Sequence, residues 1–312
     1  MRIKLYGLVV WAAMLAAGLV SCQQHDDIPQ GVKYPILFDS PDTRATATIA
    51  DLKTNGFKVY AFVDGNAGST SFAKKVTHSV VEDRDIWALE TPEYWIPNTD
   101  YYFKAFYPAT LTSGKLVVDQ TKSAQDFTIT GFDAVNHQQD IMVASAEAKV
   151  ESGAVPKPTD DVNGSVVKLS FQHLLACIEI KMKSAISNVE ITNITLQDVG
   201  TNATYTSADG KWAAEKKGSI SLSPENGALN SNEFVPVTGD GILVVPGAVS
   251  GVKVRIETNI NKTYEVDVPA ITWVGGNKYT YTAEVKQSNI IFNEPKVDEW
   301  DSENATGSVI IK

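Results

Sequence analysis

The residues that could do chemistry in this chain are few, and their spacing argues against most of it. Four histidines, His25, His78, His137 and His173, are scattered along the sequence. With no His-x-x-x-His and no Cys-x-x-Cys spacing, no metal ligands are expected to converge. His173 alone falls inside a strong strand pattern, where a hydrogen-bonded structural imidazole is preferred over a catalytic one. The sequence lacks a Gly-x-Ser-x-Gly elbow, a Walker loop and a dinucleotide fingerprint, so no cofactor is implied. Gly275-Gly276-Asn277-Lys278 reads as the turn of a hairpin rather than a phosphate cradle. In Glu82-Asp83-Arg84-Asp85, carboxylates stand close enough to raise glycoside hydrolysis, but the alternating signs suit a solvated loop. The chain is not expected to be an enzyme.

The two cysteines differ in surroundings. Cys177 lies in the apolar run Leu174 to Ile178 and reads as a small buried hydrophobe. Cys22 follows Leu19-Val20-Ser21 at the end of an apolar run that starts after Arg2 and Lys4. This run is a secretory signal, too short for a stable membrane span, and its lipobox makes Cys22 a candidate for lipidation. The leader is thus 1–21, and the polar, acidic stretch Gln23 to Asp27 suits a tether on a lipid anchor.

Elements must position whatever remains. With 43% apolar residues in 312, the chain can fill two cores. Its 37 acidic against 27 basic residues give a net charge of −10, which repels the phosphate backbone and excludes nucleic acid as a partner. Period-two alternation recurs, as in Val252, Val254 and Ile256 and again in Tyr279, Tyr281, Ala283 and Val285. Strands are expected near Phe57 to Val63, Tyr101 to Tyr107, Asp140 to Ala144, Val166 to Met182, Val189 to Val199 and Gly241 to Val245. The run Val166 to Met182 changes phase, which a bulge at Gln172-His173 reconciles. Convincing helices are scarce. Turn formers from Glu151 to Ser165 mark a boundary, dividing an all-β chain into two sandwiches, 45–155 and 156–312.

The densest aromatic stretch, Trp87 to Tyr107, has two readings. Alternate rings line a sandwich interior, or exposed rings, Trp87 and Trp95 foremost, stack on a glycan at the cell surface.

These same residues carry a resemblance. Trp87, Tyr94-Trp95-Ile96-Pro97 and Tyr101 to Pro108, followed in order by Asp140 to Ala144, Val167 to Ile180, Trp273 to Tyr281 and Trp300, resemble the fimbrillins, the type V pilins of Gram-negative gut and oral bacteria. The resemblance implies two tandem transthyretin-like β-sandwich domains, export as a lipoprotein to the outer membrane surface, and fimbriae built from such subunits by donor-strand exchange. It also implies an Arg-specific maturation protease as a partner, which would cut after Arg44 in Asp42-Thr43-Arg44-Ala45-Thr46 and leave Ala45 as the new amino end. The residues 22–44 then form a tether and propeptide strand, with Tyr34 to Phe38 as the provisional strand whose departure opens a groove. Val309, Ile310 and Ile311 are the candidate donor strand for another subunit, with the last strand of the second domain as the alternative.

Overall fold

The computed structural model describes residues 34–39, 46–63, 70–81, 83–96, 99–119, 126–150, 166–224, 226–300 and 307–311, the last of these by backbone alone. The expected leader 1–21, Cys22, Arg44, Ala45 and the expected boundary at 151–165 lie outside the described residues.

In the first half the strands are β1 (Leu37–Phe38), β2 (Phe57–Val63), β3 (Thr70–Val81), β4 (Arg84–Leu89), β5 (Tyr101–Tyr107), β6 (Lys115–Val118), β7 (Phe127–Asp133) and β8 (Met142–Val150). There follow β9 (Val166–Val167), β10 (Gln172–His173), β11 (Ala176–Ser184), β12 (Ile191–Thr206), β13 (Lys211–Leu222), β14 (Val235–Pro236), β15 (Ile242–Val244) and β16 (Gly247–Ala248). The last are β17 (Lys253–Thr258), β18 (Thr263–Asp267), β19 (Thr272–Trp273), β20 (Asn277–Val285), β21 (Ile290–Phe292), β22 (Lys296–Glu299) and β23 (Gly307–Ile311). The expected all-β class holds, with one helix, α1 (Thr46–Asn55), among the described residues.

One sheet runs β10-β8-β5-β2-β3-β4-β1-β9, with β23 added to β8. It surrounds an aromatic core in which Phe57, Phe103 and Trp87 are at most 1% exposed. A second core lies between two six-stranded sheets, ordered β14-β11-β20-β21 and β18-β17-β12-β7-β6. Strand β5 serves both cores because both of its faces are apolar. Phe103 and Ala105 point into the first core, while Phe106 turns to the second and meets Phe127 edge-on at 4.8 Å.

The cores are not built from separate stretches of chain. Strands β6 and β7 join the second core through β12, whereas β9 and β10 return to the first sheet through β1 and β8.

Two local expectations are corrected. Val166 to Met182 is not one bulged strand but three, and the phase change marks a move from the first sheet to the second. Leu174 and Leu175 make the bend, held by the Trp212 Nε1 donating to Leu174 O at 2.8 Å and Gly276 N donating to Leu175 O at 2.9 Å. The Gly275-Gly276 turn does not close a hairpin, since β19 pairs with β16 and β20 lies parallel to β11. Gly275 is required there by proximity, as a Cβ would sit 2.7 Å from Leu174 O.

Helix α1 leaves no periodic apolar signal in its threonine- and alanine-rich sequence, and among its described side chains Leu52 is the one fully buried. The helix is also latched from outside. Lys53 Nζ lies 2.8 Å from one Asp85 oxygen and His78 Nε2 lies 2.7 Å from the other.

Phe103 packs against Phe38, Phe72, Trp95 and Tyr101 at ring separations of 5.8 to 6.5 Å. Phe103→Ala should therefore cost about 3–5 kcal/mol in urea denaturation, since the rings packed around it leave little room to collapse.

Candidate functional site

The strand at the centre of interest begins at Tyr34. Pro35 lacks a donor and is placed at the start, in an isolated bridge to Tyr94, where none is needed. Beyond it the chain alternates, with Ile36 and Phe38 buried at 2% and 3% exposure and Leu37 half-buried. Ile36 N donates to Glu93 O at 2.8 Å, and Trp95 N donates to Tyr34 O at 3.0 Å. Residues 37 and 38 pair antiparallel with Ala88 and Trp87 of β4 and parallel with Val166 and Val167 of β9. Asp39 N completes the far side by donating to Val167 O at 2.9 Å.

Strand β1 thus fills a slot between two other strands. Phe38 closes its floor, edge-on to Phe57 at 6.0 Å and to Phe103 at 5.8 Å. Phe57 in turn contacts Trp87 and Phe171 at 5.7 and 5.2 Å. Without β1 these rings lose their cover, and β4 and β9 lose their backbone partner together.

The carboxyl-terminal strand lies at a different edge. β23 runs parallel to β8, with Val309 opposite Ala148 and Ile311 opposite Val150, so it completes the first sheet rather than the second core. Before it, Trp300 stacks on the His173 ring at 3.9 Å and 11°, and Trp300 N donates to Gly276 O at 2.6 Å. His173 is itself buried, with Nδ1 2.6 Å from an Asp140 oxygen.

The remaining sequence-singled residues fall elsewhere. Trp87 and Trp95 are 1% and 4% exposed. This corrects their reading as ligand-contact rings, because neither presents a face to solvent in this fold. Cys177 is wholly buried, and desolvation pushes its thiol up to about 12, so it stays protonated and unreactive. Asp83 and Asp85 straddle the β3–β4 turn, and Asp85 is committed to Lys53 and His78. Val166–Val167, expected as the start of one long strand, forms the far wall of the slot instead, and the α1 latch has no counterpart among the expected elements.

The latch carries a pH dependence. The Lys53 hydrogen bond, then that of His78, holds the Asp85 carboxyl below the usual aspartate value of 3.8. A depressed carboxylate pKa contributes stability above the unfolded value, and that contribution is lost as pH falls through the folded one. Wild type should therefore exceed Asp85→Asn in stability above about pH 4, and the gap should close below it in acid titration of the melting temperature.

A fimbrillin-like family model matches residues 43–300. A fimbrial protein from Bacteroides vulgatus ATCC 8482 superposes with a TM-score of 0.58 at 17% identity, covering 86% of this chain and 100% of that one. Candidate cell adhesion proteins from Bacteroides ovatus ATCC 8483 and Bacteroides uniformis ATCC 8492 give TM-scores of 0.57 and 0.53 at 14% and 17% identity. Each covers 88% of this chain and 100% of its own. At such identities these likenesses establish the fold alone. No curated protein matches the sequence. The family match takes in α1, both walls of the slot and the second core, and on that extent the chain belongs to the fimbrillin-like family.

Proposed function

We propose that this protein is a structural subunit of a cell-surface fimbria, supporting adhesion and not catalysing a reaction. The observation that carries the reading is the slot: a strand near the amino end covers Phe57 and Phe103, yet it is joined to the body only through residues that precede α1. In this reading the chain is exported to the outer membrane with Cys22 lipidated, and an Arg-specific protease cuts after Arg44, freeing Ala45.

Cleavage acts through effective concentration. While the chain is intact, the link from Phe38 to α1 keeps β1 beside its slot at millimolar-scale local concentration. Two buried side chains, Ile36 and Phe38, supply roughly 3–6 kcal/mol at about 1.5–3 each before ordering costs. That suffices for a tethered strand and is weak for a free peptide. Its loss leaves unpaired backbone on β4 and β9 beside uncovered aromatic rings, the condition under which another chain adds a strand.

The donor in this scheme is the segment Gly307–Ile311 of a neighbouring subunit. It is five residues long, as is Tyr34 to Phe38, and Val309 and Ile311 share one phase as Ile36 and Phe38 do. To donate, it must leave β8 of its own subunit. The division into leader 1–21, tether and strand 22–44, and β bodies 45–155 and 156–312 belongs to the same proposal, the two bodies exchanging strands across the boundary.

Arg44→Ala should leave a lipid-anchored, uncleaved chain by amino-terminal mass spectrometry, with no filaments in electron micrographs. Deleting 307–312 should permit cleavage and still block assembly. Filaments that retain 34–44 docked in every subunit would overturn the scheme.

A further inference from the structure

The outward face of the first sheet carries a feature that strand exchange does not use. The register of β2 on β3 sets Lys58 directly opposite Lys75. Two like charges across a ladder repel, and sheets ordinarily avoid the arrangement. Among the described residues neither ammonium is ion-paired: Lys58 Nζ lies over the Tyr60 ring at 5.2 Å, and the Lys75 stem runs past Gly56 at the end of α1.

Lys74, the next residue along β3, reaches Glu93. The three lysines, with Thr91, Thr110 and Glu90, line one recess of about 360 Å³. That is the small end of ligand-sized pockets. On a chain of net charge −10, Lys58 and Lys75 together outweigh Glu90 in this recess, Lys74 being neutralised by Glu93, and the local cationic excess concentrates anions there. An anion seated between Lys58 and Lys75 converts their repulsion into two charge-assisted contacts, and the threonine hydroxyls can donate to its remaining oxygens.

We infer that this recess binds an acidic glycan through a sulfate or carboxylate group, with Lys58 and Lys75 as the paired cations. A phospholipid headgroup offers related chemistry. However, none of the large exposed hydrophobic side chains among the described residues lines the recess, so nothing beside it would enter a bilayer. The site is separate from the slot, whose walls are β4 and β9, and it stands or falls independently of strand exchange.

The test uses the full chain at low salt, with sulfated dextran, unsulfated dextran and phosphatidylglycerol vesicles as probes. Sulfated dextran should bind in a salt-sensitive manner and unsulfated dextran should not. Lys58→Gln with Lys75→Gln should weaken binding by about tenfold or more, as expected for loss of two charge-assisted contacts. The same charge change on β13, Lys216→Gln with Lys217→Gln, should leave it intact. Lys58→Arg, which keeps the charge, should retain binding and guards against a folding defect in the double variant. The double variant itself should melt no lower than the parent, since a repulsive pair has been removed. Absence of binding to sulfated dextran, equal losses in both double variants, or binding confined to the vesicles would overturn the assignment.

Discussion

The pairing of β1 on both of its edges is the constraint on which the first half of the structure depends. The nine-stranded sheet ends at β9 on one side and at β10 on the other, and only residues 168–171 separate those two strands in sequence. β1 joins β9 to β4, so one short strand completes the wall around the aromatic core. Its hydrogen bonds and its two buried side chains act together, because the backbone groups it satisfies border the rings it covers. A strand in that position is structurally integral and covalently peripheral, a combination suited to replacement.

The second core packs against the same strand, β5, that lines the first. Phe106 of β5 and Phe127 of β7 meet within the second core, and Lys104 of β5 lies beside them, its Nζ 2.8 Å from Ser145 Oγ and 5.4 Å from the centre of the Phe127 ring. Burial lowers the Lys104 pKa against the opposing pull of Asp126, the signature of a cation enclosed where two packed faces meet. At the other end, Trp300 on His173 fixes where the chain leaves the second core before returning to β8.

Side-chain identity along β5 shows how one stretch answers two demands. Tyr101, Phe103, Ala105 and Tyr107 occupy the phase that faces the first core, and Phe106 breaks the alternation to serve the second. The density of rings from Trp87 to Tyr107 follows from this double burial rather than from ligand binding. Exposed chemistry resides instead on the outer faces of β2 and β3, where Lys58 and Lys75 meet.

The sequence by itself determined the all-β class, the bounds of β2 and β5, and the apolar character of Tyr34 to Phe38, because period-two patterning and strong β formers are local properties. It also contained the residues of a fimbrillin-like chain in order. Only the tertiary structure decided which strands are neighbours. Partner choice depends on surfaces distant in sequence, so a phase change at Gln172-His173 looked like a bulge until the sheets to either side were seen to differ. The same reason hid the position of β1 between β4 and β9, the parallel docking of the tail on β8, and the meeting of Lys58 with Lys75. Helix α1 was hidden for a second reason: one buried leucine and an external ion pair hold it, and neither leaves a periodic trace.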